Sequence, residues 1–523
     1  MDVTVKHGRV ESERAEVLVL LQAEDEPLSE DANRIDRVLR GGLRELLKSG
    51  EFHGKPLQTA LVHTHGLAAA KRVLLVGIGK RQDAKLDTFR QALGTAVKRV
   101  RQAGARGFTV VFPRITLPKT PPLQIAQAMA EGAILGGYQF TQYRSQNGED
   151  LKTVERMTLL APDAAGGDVQ TGVRQGVAAA EAAWFVRDLC NHPSNVMTPS
   201  RIAMEARRIA KERGVSLKIL ERRDMERLGM GALLGVARGS HEAPKFLILE
   251  YRGPGARSSA FAAGSETSRQ NGRGRNGGRP RGPIVLVGKT ITFDTGGISL
   301  KPAENMEQMK ADMTGGAEVL ATVRAVARLR LPIHVIGILP ATENMPGGNA
   351  MKPGDIVTTL SGKTVEVQNT DAEGRLILAD GLAYATRLKP AAVVDIATLT
   401  GACMVALGQF AIGMFGNEAW LKERIAAAGQ TAGERVWEMP LWDDYFEQLR
   451  SDVADMRNIG GRGGGMITAA LFLSKFVGDV PWVHLDIAST DWSERERAYI
   501  SKGPTAIGTR LLIQFLINEG TRA

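Results

Sequence analysis

Apolar positions in the first 165 or so residues fall into short runs separated by stretches with helical spacing. AEVLVLLQA, KRVLLVGIG and GFTVVFP read as strands, whereas RIDRVLRGGLRELLKSG and DTFRQALGTAVKRVRQAG read as amphipathic helices. Strands that alternate with helices predict an α/β layered domain over residues 1–165. The segment TGVRQGVAAAEAAWFVRDLCNHP keeps a helical pattern up to Pro193, so residues 166–192 are expected to form a linking helix.

Residues 193–523 repeat the alternation more densely. PKFLILEYR, GPIVLVGKTITF, LPIHVIGILPA, DIVTTLSG, TVEVQNT, AAVVDIATL and PWVHLDIAST are the strand candidates. Several are nearly continuous Val/Ile/Leu runs, as in strands covered on both faces. GGAEVLATVRAVARL and ITAALFLSKFV supply helices between them. A second α/β domain follows, and in open α/β sheets ligand sites form where strands end and loops begin.

Length supports this division, since 523 residues exceed one ordinary domain. Cys190 and Cys403 are too few for a disulfide framework, which fits a reducing compartment and a cytoplasmic location. No charged and then apolar leader stands at the N-terminus. Residues 396–417 carry no charge and are long enough to cross a bilayer. Four glycines, two threonines and a glutamine interrupt that run, so it is expected to be core, with no membrane partner. The net charge of +10 is concentrated in part between Arg252 and Gly282, with seven arginines and one glutamate. This Arg/Gly-rich insertion, about 254–282, is expected to be a surface loop, and such segments can bind DNA or RNA.

Charge gathers at three predicted strand ends. VGKTITFDTGGISLKP carries Lys289, Asp294 and Lys301; MEQMKADMTGG carries Asp312; NTDAEGRL carries Asp371, Glu373 and Arg375. Buried carboxylates need partners, and divalent metals supply them through oxygen ligands. Four carboxylates within about 80 residues, beside Gly-Gly turns, could form a two-metal hydrolase site. Taken singly, each has an ordinary reading: Asp294 as a turn residue, Asp371 as a helix cap, Glu373 with Arg375 as a surface ion pair. Other chemistries lack their signatures. No HExxH or GxSxG occurs, and GPIVLVGKT has one residue too many for a phosphate-binding P-loop. Both cysteines lie in apolar surroundings, which disfavours a thiolate nucleophile.

NTDAEGRL, with VGKTITFDTGGISLKP upstream, resembles the leucyl aminopeptidase family, the cytosol aminopeptidases. VRDLCNHPSNVMTP, ENMPGGNAMKPGD, DVADMRNIGGRGGGMITAALFLSKFV and WVHLDIAST extend the likeness over most of residues 185–523. The resemblance implies a smaller, macro-like N-terminal α/β domain and a larger mixed-sheet α/β/α dinuclear metallopeptidase domain over 193–523. It implies two divalent ions per subunit, Mn²⁺ or Zn²⁺, held by Lys289, Asp294, Asp312, Asp371 and Glu373. Asp294 and Glu373 would bridge both ions. A hydroxide held between the ions would attack the first peptide bond, with Lys301 steadying the oxyanion and a bicarbonate at Arg375 shuttling the proton. Met309, Thr398, Gly401 and Ala488 would line the pocket for the N-terminal side chain, and the Leu399 backbone would hold the peptide. The implied substrates are peptides with N-terminal Leu and other mainly apolar residues, and the implied assembly is a homohexamer.

Three features depart from the family pattern, the least of them NHP at 191–193 in place of the commoner Asn-Thr-Pro, which is expected to change nothing. The insertion at 254–282 is long, and Asp491 stands where many relatives carry an apolar residue, which would turn the pocket toward basic side chains. The insertion and the basic charge motivate a different function class, a DNA- or RNA-binding accessory protein. A catalytically dead relative is a third reading, set against the presence of all seven metal and catalytic positions.

Overall fold

The structure is a computed structural model that describes residues 1–523 except 25, 116, 146–151, 162–165, 213, 256–281 and 523. The expected loop at 254–282 therefore lies almost wholly outside the described residues.

The chain forms two compact units. The first consists of Met1–Trp184 with Thr431–Gly433 and Ser493–Gly503. Its strands are β1 (Asp2–His7), β2 (Leu18–Gln22), β3 (Thr59–His63), β4 (Arg72–Gly77), β5 (Gly107–Val111) and β6 (Arg156–Ala161). They lie in the order β1-β6-β5-β2-β4-β3. Every pairing is parallel except that of β3 with β4. The predicted strands sit at β2, β4 and β5. The helix expected from RIDRVLRGGLRELLKSG is broken into α1 (Glu30–Val38) and α2 (Gly42–Lys48), because Gly41 between them adopts φ +91°. Next come α3 (Leu86–Gln102), α4 (Pro122–Gly136) and the long α5 (Gly166–Asn191). Apolar side chains pack on both faces of this sheet. Val19, Leu74 and Val110 join Phe89 and Leu93 of α3 on one face, and Leu18, Leu20 and Leu75 join Ile35 of α1 on the other.

The second unit holds Phe185–Gln430, Glu434–Trp492 and Pro504–Ala523. Its strands are β7 (Val215–Leu220), β8 (Lys245–Arg252), β9 (Ile284–Gly288), β10 (Thr290–Asp294), β11 (His334–Asn344), β12 (Ile356–Thr358), β13 (Thr364–Glu366), β14 (Ala392–Ala397), β15 (Ile412–Gly416), β16 (Val436–Glu438), β17 (Met456–Arg457) and β18 (Trp482–Asp486). Nine of them form one mixed sheet, β16-β15-β18-β14-β9-β11-β8-β7, with β10 on β11. The run β18-β14-β9-β11 and the β10–β11 pair are parallel, and the flanking β15 and β8 are antiparallel to it. β9, β14 and β18 are buried throughout; β9 is an unbroken apolar run, whereas β14 and β18 also bury Asp395, His484 and Asp486, with Asp395 bonded to Trp482 and His484.

Helices of this unit include α6 (Pro199–Ile209), α7 (Arg222–Leu228), α8 (Gly231–Val236), α9 (Thr314–Leu329), α10 (Glu373–Arg387), α11 (Gly401–Leu407), α12 (Ala419–Ala432), α13 (Gly465–Ser474) and α14 (Thr509–Arg522). Leu376, Ile377 and Leu382 of α10 join Val285, Val287 and Ile338 in the main core. Asp380, on the same helix, is fully buried and accepts the backbone N–H groups of Leu233 (2.9 Å) and Leu360 (2.7 Å). It thereby satisfies two donors that would otherwise be stranded in the core.

The uncharged run 396–417 is a strand end, a short helix and a strand, and only part of it is core. α11 buries Cys403 but leaves Met404 and Val405 exposed, with Phe410 exposed just beyond it. Seven residues at the sheet edge can turn only one side inward. No helix among the described residues is long and apolar enough to cross a membrane.

Candidate active site

The strands β9, β10, β11, β14 and β18 run the same way, so their C-terminal ends share one edge of the sheet. Lys289 follows β9 directly, Asp294 ends β10, and Thr398–Gly401 follow β14. The 3-10 helix Met306–Ala311 ends at Asp312, and α10 opens at Glu373. This edge brings together all five residues that the resemblance implied as metal ligands.

Carboxylate oxygens of Asp294, Asp371 and Glu373 lie within 4.8 Å of one another. Lys289 Nζ donates to Asp312 Oδ1 at 2.7 Å and stands 2.9 Å from Glu373 Oε1. It also donates to the Thr398 carbonyl at 2.8 Å. Lys301 Nζ stands 2.9 Å from Asp294 Oδ2 and 2.5 Å from Asp371 Oδ1. Each ammonium thus links two carboxylates from distant parts of the chain. Burial works against both charges, but the surrounding carboxylates outweigh it and hold the two lysine pKa values above the usual range. Burial also pushes Asp312, Glu373 and Asp371 upward, and their carboxylate neighbours add to it.

Four carboxyl groups share two ammonium groups, so the cage offers more oxygen donors than the two lysines can pair. Asp312 Oδ2 and Glu373 Oε2 are buried without a hydrogen-bond donor among the described residues. An oxygen-rich, cation-deficient cage of this kind fits divalent ions. Lys289 can join such a set only as the neutral amine, because a protonated nitrogen has no lone pair to give.

Asp371 does not cap α10: the cap position is Ala372, and no side chain accepts there. Glu373 and Arg375 are buried, not on the surface. Asp294 does act as a turn residue, since its Oδ1 accepts the Gly296 N–H at 2.9 Å, but Oδ2 remains turned to Lys301. Gly374 is required by contact. A Cβ there would stand 2.4 Å from Lys289 Cε, so a larger residue would push the lysine off its carboxylates.

Arg375 donates from Nη1 to the Asn458 carbonyl at 2.8 Å, while its buried Nε meets no acceptor among the described residues. Burial lowers its pKa to about 10, with Glu373 and Asp486 opposing the shift. Thr398 Oγ1 donates to Asp312 Oδ1 at 2.7 Å, and the half-buried Met309 gives its carbonyl to the Asp312 N–H at 3.2 Å. Leu399 and Ala488 are half-buried and Gly401 is exposed. Asp491 is half-buried, and burial pushes its carboxyl up to about 7. Burial likewise pushes the Cys190 and Cys403 thiols up to about 12, so neither supplies a thiolate near neutral pH.

Known proteins match this arrangement. The description "Cytosol aminopeptidase family, catalytic domain" fits residues 184–265 and 269–513, and "Cytosol aminopeptidase family, N-terminal domain" fits residues 17–147. The chain belongs to the cytosol aminopeptidase family. As a member it is a peptidase with that family's two-domain architecture. A probable cytosol aminopeptidase of Geobacter sulfurreducens is 46% identical over 495 residues, 94% of each chain. One of Roseiflexus castenholzii is 44% identical over 518 residues, 99% of each chain. Tomato leucine aminopeptidase, solved as a mutant, superimposes with a TM-score of 0.84 at 30% identity, covering 99% of this chain and 96% of that one. The bottromycin maturation enzyme BotP, solved in complex with Mn, gives 0.82 at 34% identity, covering 97% and 100%.

Three buried polar residues at this candidate site were not among the sequence candidates. Asp486, at the end of β18, accepts backbone N–H groups from Leu399 (3.2 Å), Thr400 (3.4 Å) and Ala488 (3.2 Å), and the Thr400 hydroxyl at 2.6 Å. It ties the two segments that carry the expected substrate contacts. Asn458 accepts the Gln368 N–H at 2.9 Å and donates to the Asn369 carbonyl at 2.6 Å, which steadies the approach to NTDAEGRL. Asn344, at the end of β11, donates to Asp294. The available signal was a polar residue closing a predicted buried strand, as in WVHLD; uncharged Asn344 and Asn458 carried still less.

Proposed function

We propose that the protein is a dinuclear metal aminopeptidase that removes N-terminal Leu and other mainly apolar residues from peptides. The observation that carries this reading is the cage of four carboxylates and two lysines on one sheet edge, with buried oxygens that no donor satisfies. Lys289, Asp294, Asp312, Asp371 and Glu373 would hold two divalent ions, Mn²⁺ or Zn²⁺. Such ions supply Lewis acidity and lower the pKa of coordinated water.

The chain's own residues do the rest. Lys301, the more exposed of the two lysines, presents an ammonium to the carbonyl oxygen of the first peptide bond as negative charge develops there. Arg375, whose Nε meets no acceptor among the described residues, would hold a small carboxylate-like anion; bicarbonate bound there would supply a group able to accept and give a proton. Asp486 fixes the Leu399 and Ala488 backbone against which the peptide lies. Thr398 couples that segment to Lys289 and Asp312, so substrate contacts and metal ligands move as one body. Assembly as a homohexamer and work in the cytoplasm belong to the same proposal, and the two unpaired buried thiols fit a reducing compartment.

A substrate pair tests the exopeptidase reading. Leucine-p-nitroanilide should release p-nitroaniline, and N-acetyl-leucine-p-nitroanilide should not, because a free α-amine is required. Equal release from both would point to an endopeptidase or amidase and overturn the assignment.

A further inference from the structure

We infer that Asn344 is a positioning residue: it fixes which oxygen of Asp294 faces the carboxylate cage and so sets the affinity of that cage for divalent ions. The inference rests on the metal-dependent reading above and assigns a task to a residue outside the ligand set.

β10 and β11 are parallel, and their ladder pairs Asp294 with Asn344 after an irregularity that follows Ile291. Two short polar side chains therefore end neighbouring strands at the edge where the charges gather. Asn344 is only 2% exposed. Its Nδ2 donates to Asp294 Oδ1 at 2.8 Å and to the Thr370 carbonyl at 3.0 Å. Two acceptors face this atom, so the amide can stand in only one of its two orientations.

The consequence falls on Asp294. Its Oδ1 receives two donors, Asn344 Nδ2 and the Gly296 N–H at 2.9 Å. Its Oδ2 is turned to Lys301 Nζ at 2.9 Å. One oxygen is committed to the scaffold and the other to the cage. Without the amide, the carboxylate could turn about its terminal bond and offer either oxygen, which would lower the fraction of time the cage is assembled.

The second bond of the amide widens its effect. Thr370 immediately precedes Asp371, so one side chain holds Asp294 and the segment bearing Asp371 and Glu373 at fixed separation. The rest of the clasp is hydroxyl and backbone. Thr370 Oγ1 donates to the Gly296 carbonyl at 2.6 Å and accepts the Ser299 N–H at 2.8 Å. Gly297 passes through at φ +67°, where an added Cβ would stand 2.8 Å from Asn344 Oδ1. Lys301 lies a few residues along the same loop and inherits that placement. Partners of this kind, acting through a ligand, typically change metal affinity by about 10–100-fold.

Two variants of the full-length protein test the inference, Asn344→Ala and the nearly isosteric Asn344→Leu, which keeps the volume if the smaller residue unfolds the loop. Mn²⁺ binding is measured by isothermal titration calorimetry, thermal stability by calorimetry, and leucine-p-nitroanilide kinetics at saturating Mn²⁺. The expected result is Mn²⁺ binding weakened by about 10–100-fold, with KM nearly unchanged once metal saturates. A folded variant with wild-type Mn²⁺ affinity overturns the inference, even if its melting temperature falls, because Asn344 would then serve stability alone. Absence of Mn²⁺ binding by the wild-type protein is a different failure, seen before any variant is made: it removes the metal reading itself and this inference with it.

Discussion

Glu373→Gln, measured on leucine-p-nitroanilide, should lose activity on the order of 10³-fold or more, because it removes a charge from the centre of the cage. Glu373 stands within reach of Lys289 and in the group with Asp294 and Asp371, so both halves of the cage depend on it. An amide of the same shape keeps the volume but presents one weaker oxygen to cations and turns an N–H₂ toward neighbouring carboxylates or Lys289. Divalent-ion affinity should fall together with kcat. Folding should survive, because the change also relieves repulsion among buried carboxylates whose pKa values are already raised. Circular dichroism and a melting curve check that point. Near-normal turnover would remove Glu373 from the metal set.

Lys301→Met should lower kcat by about 10²–10³-fold, the usual consequence of deleting one group that stabilises an oxyanion. It differs from Glu373→Gln in the sign of its effect on metal. The Lys301 ammonium sits between Asp294 Oδ2 and Asp371 Oδ1, where it competes with any cation for those oxygens. Removing it while keeping the apolar stem should leave Mn²⁺ affinity unchanged or tighter. Loss of turnover with retained or improved metal binding separates a group that acts on substrate from a ligand. If metal affinity and kcat fall together, Lys301 belongs to the structural support of the cage instead.

Much of the catalytic unit was legible before the fold was known, and the reason is physical. Strands buried on both faces are mostly apolar, as in IVLVG of β9, so charge gathers where they end; Asp395 inside β14 is tolerated because Trp482 and His484 of β18 pair with it. Lys289, Asp294 and Asp312 stand out against such runs. NTDAEGRL stands out because Glu373 and Arg375 open a helix whose next residues, Leu376–Ala379, are apolar and buried. What the pattern could not convey is how the charges pair. Lys289 bridges Asp312 and Glu373, which are 61 residues apart in the chain, a separation on which hydrophobic periodicity is silent. Neutral residues were harder still. Asn344 sits in ENMPGG with nothing local to distinguish it from a turn residue, and only the β10–β11 register reveals its partner. The mostly exposed face of α11 was misjudged for the opposite reason. GACMVAL is apolar all round, and apolar composition alone does not say which side a short helix turns inward.

The most direct test of the account is to strip the protein with a chelator and restore Mn²⁺ or Zn²⁺ stepwise, following bound metal per chain and release of p-nitroaniline from leucine-p-nitroanilide in the same samples. The account predicts no turnover in the stripped protein and recovery that tracks filling of two sites per chain, with Glu373→Gln failing to recover. Undiminished hydrolysis after complete removal of metal would contradict it.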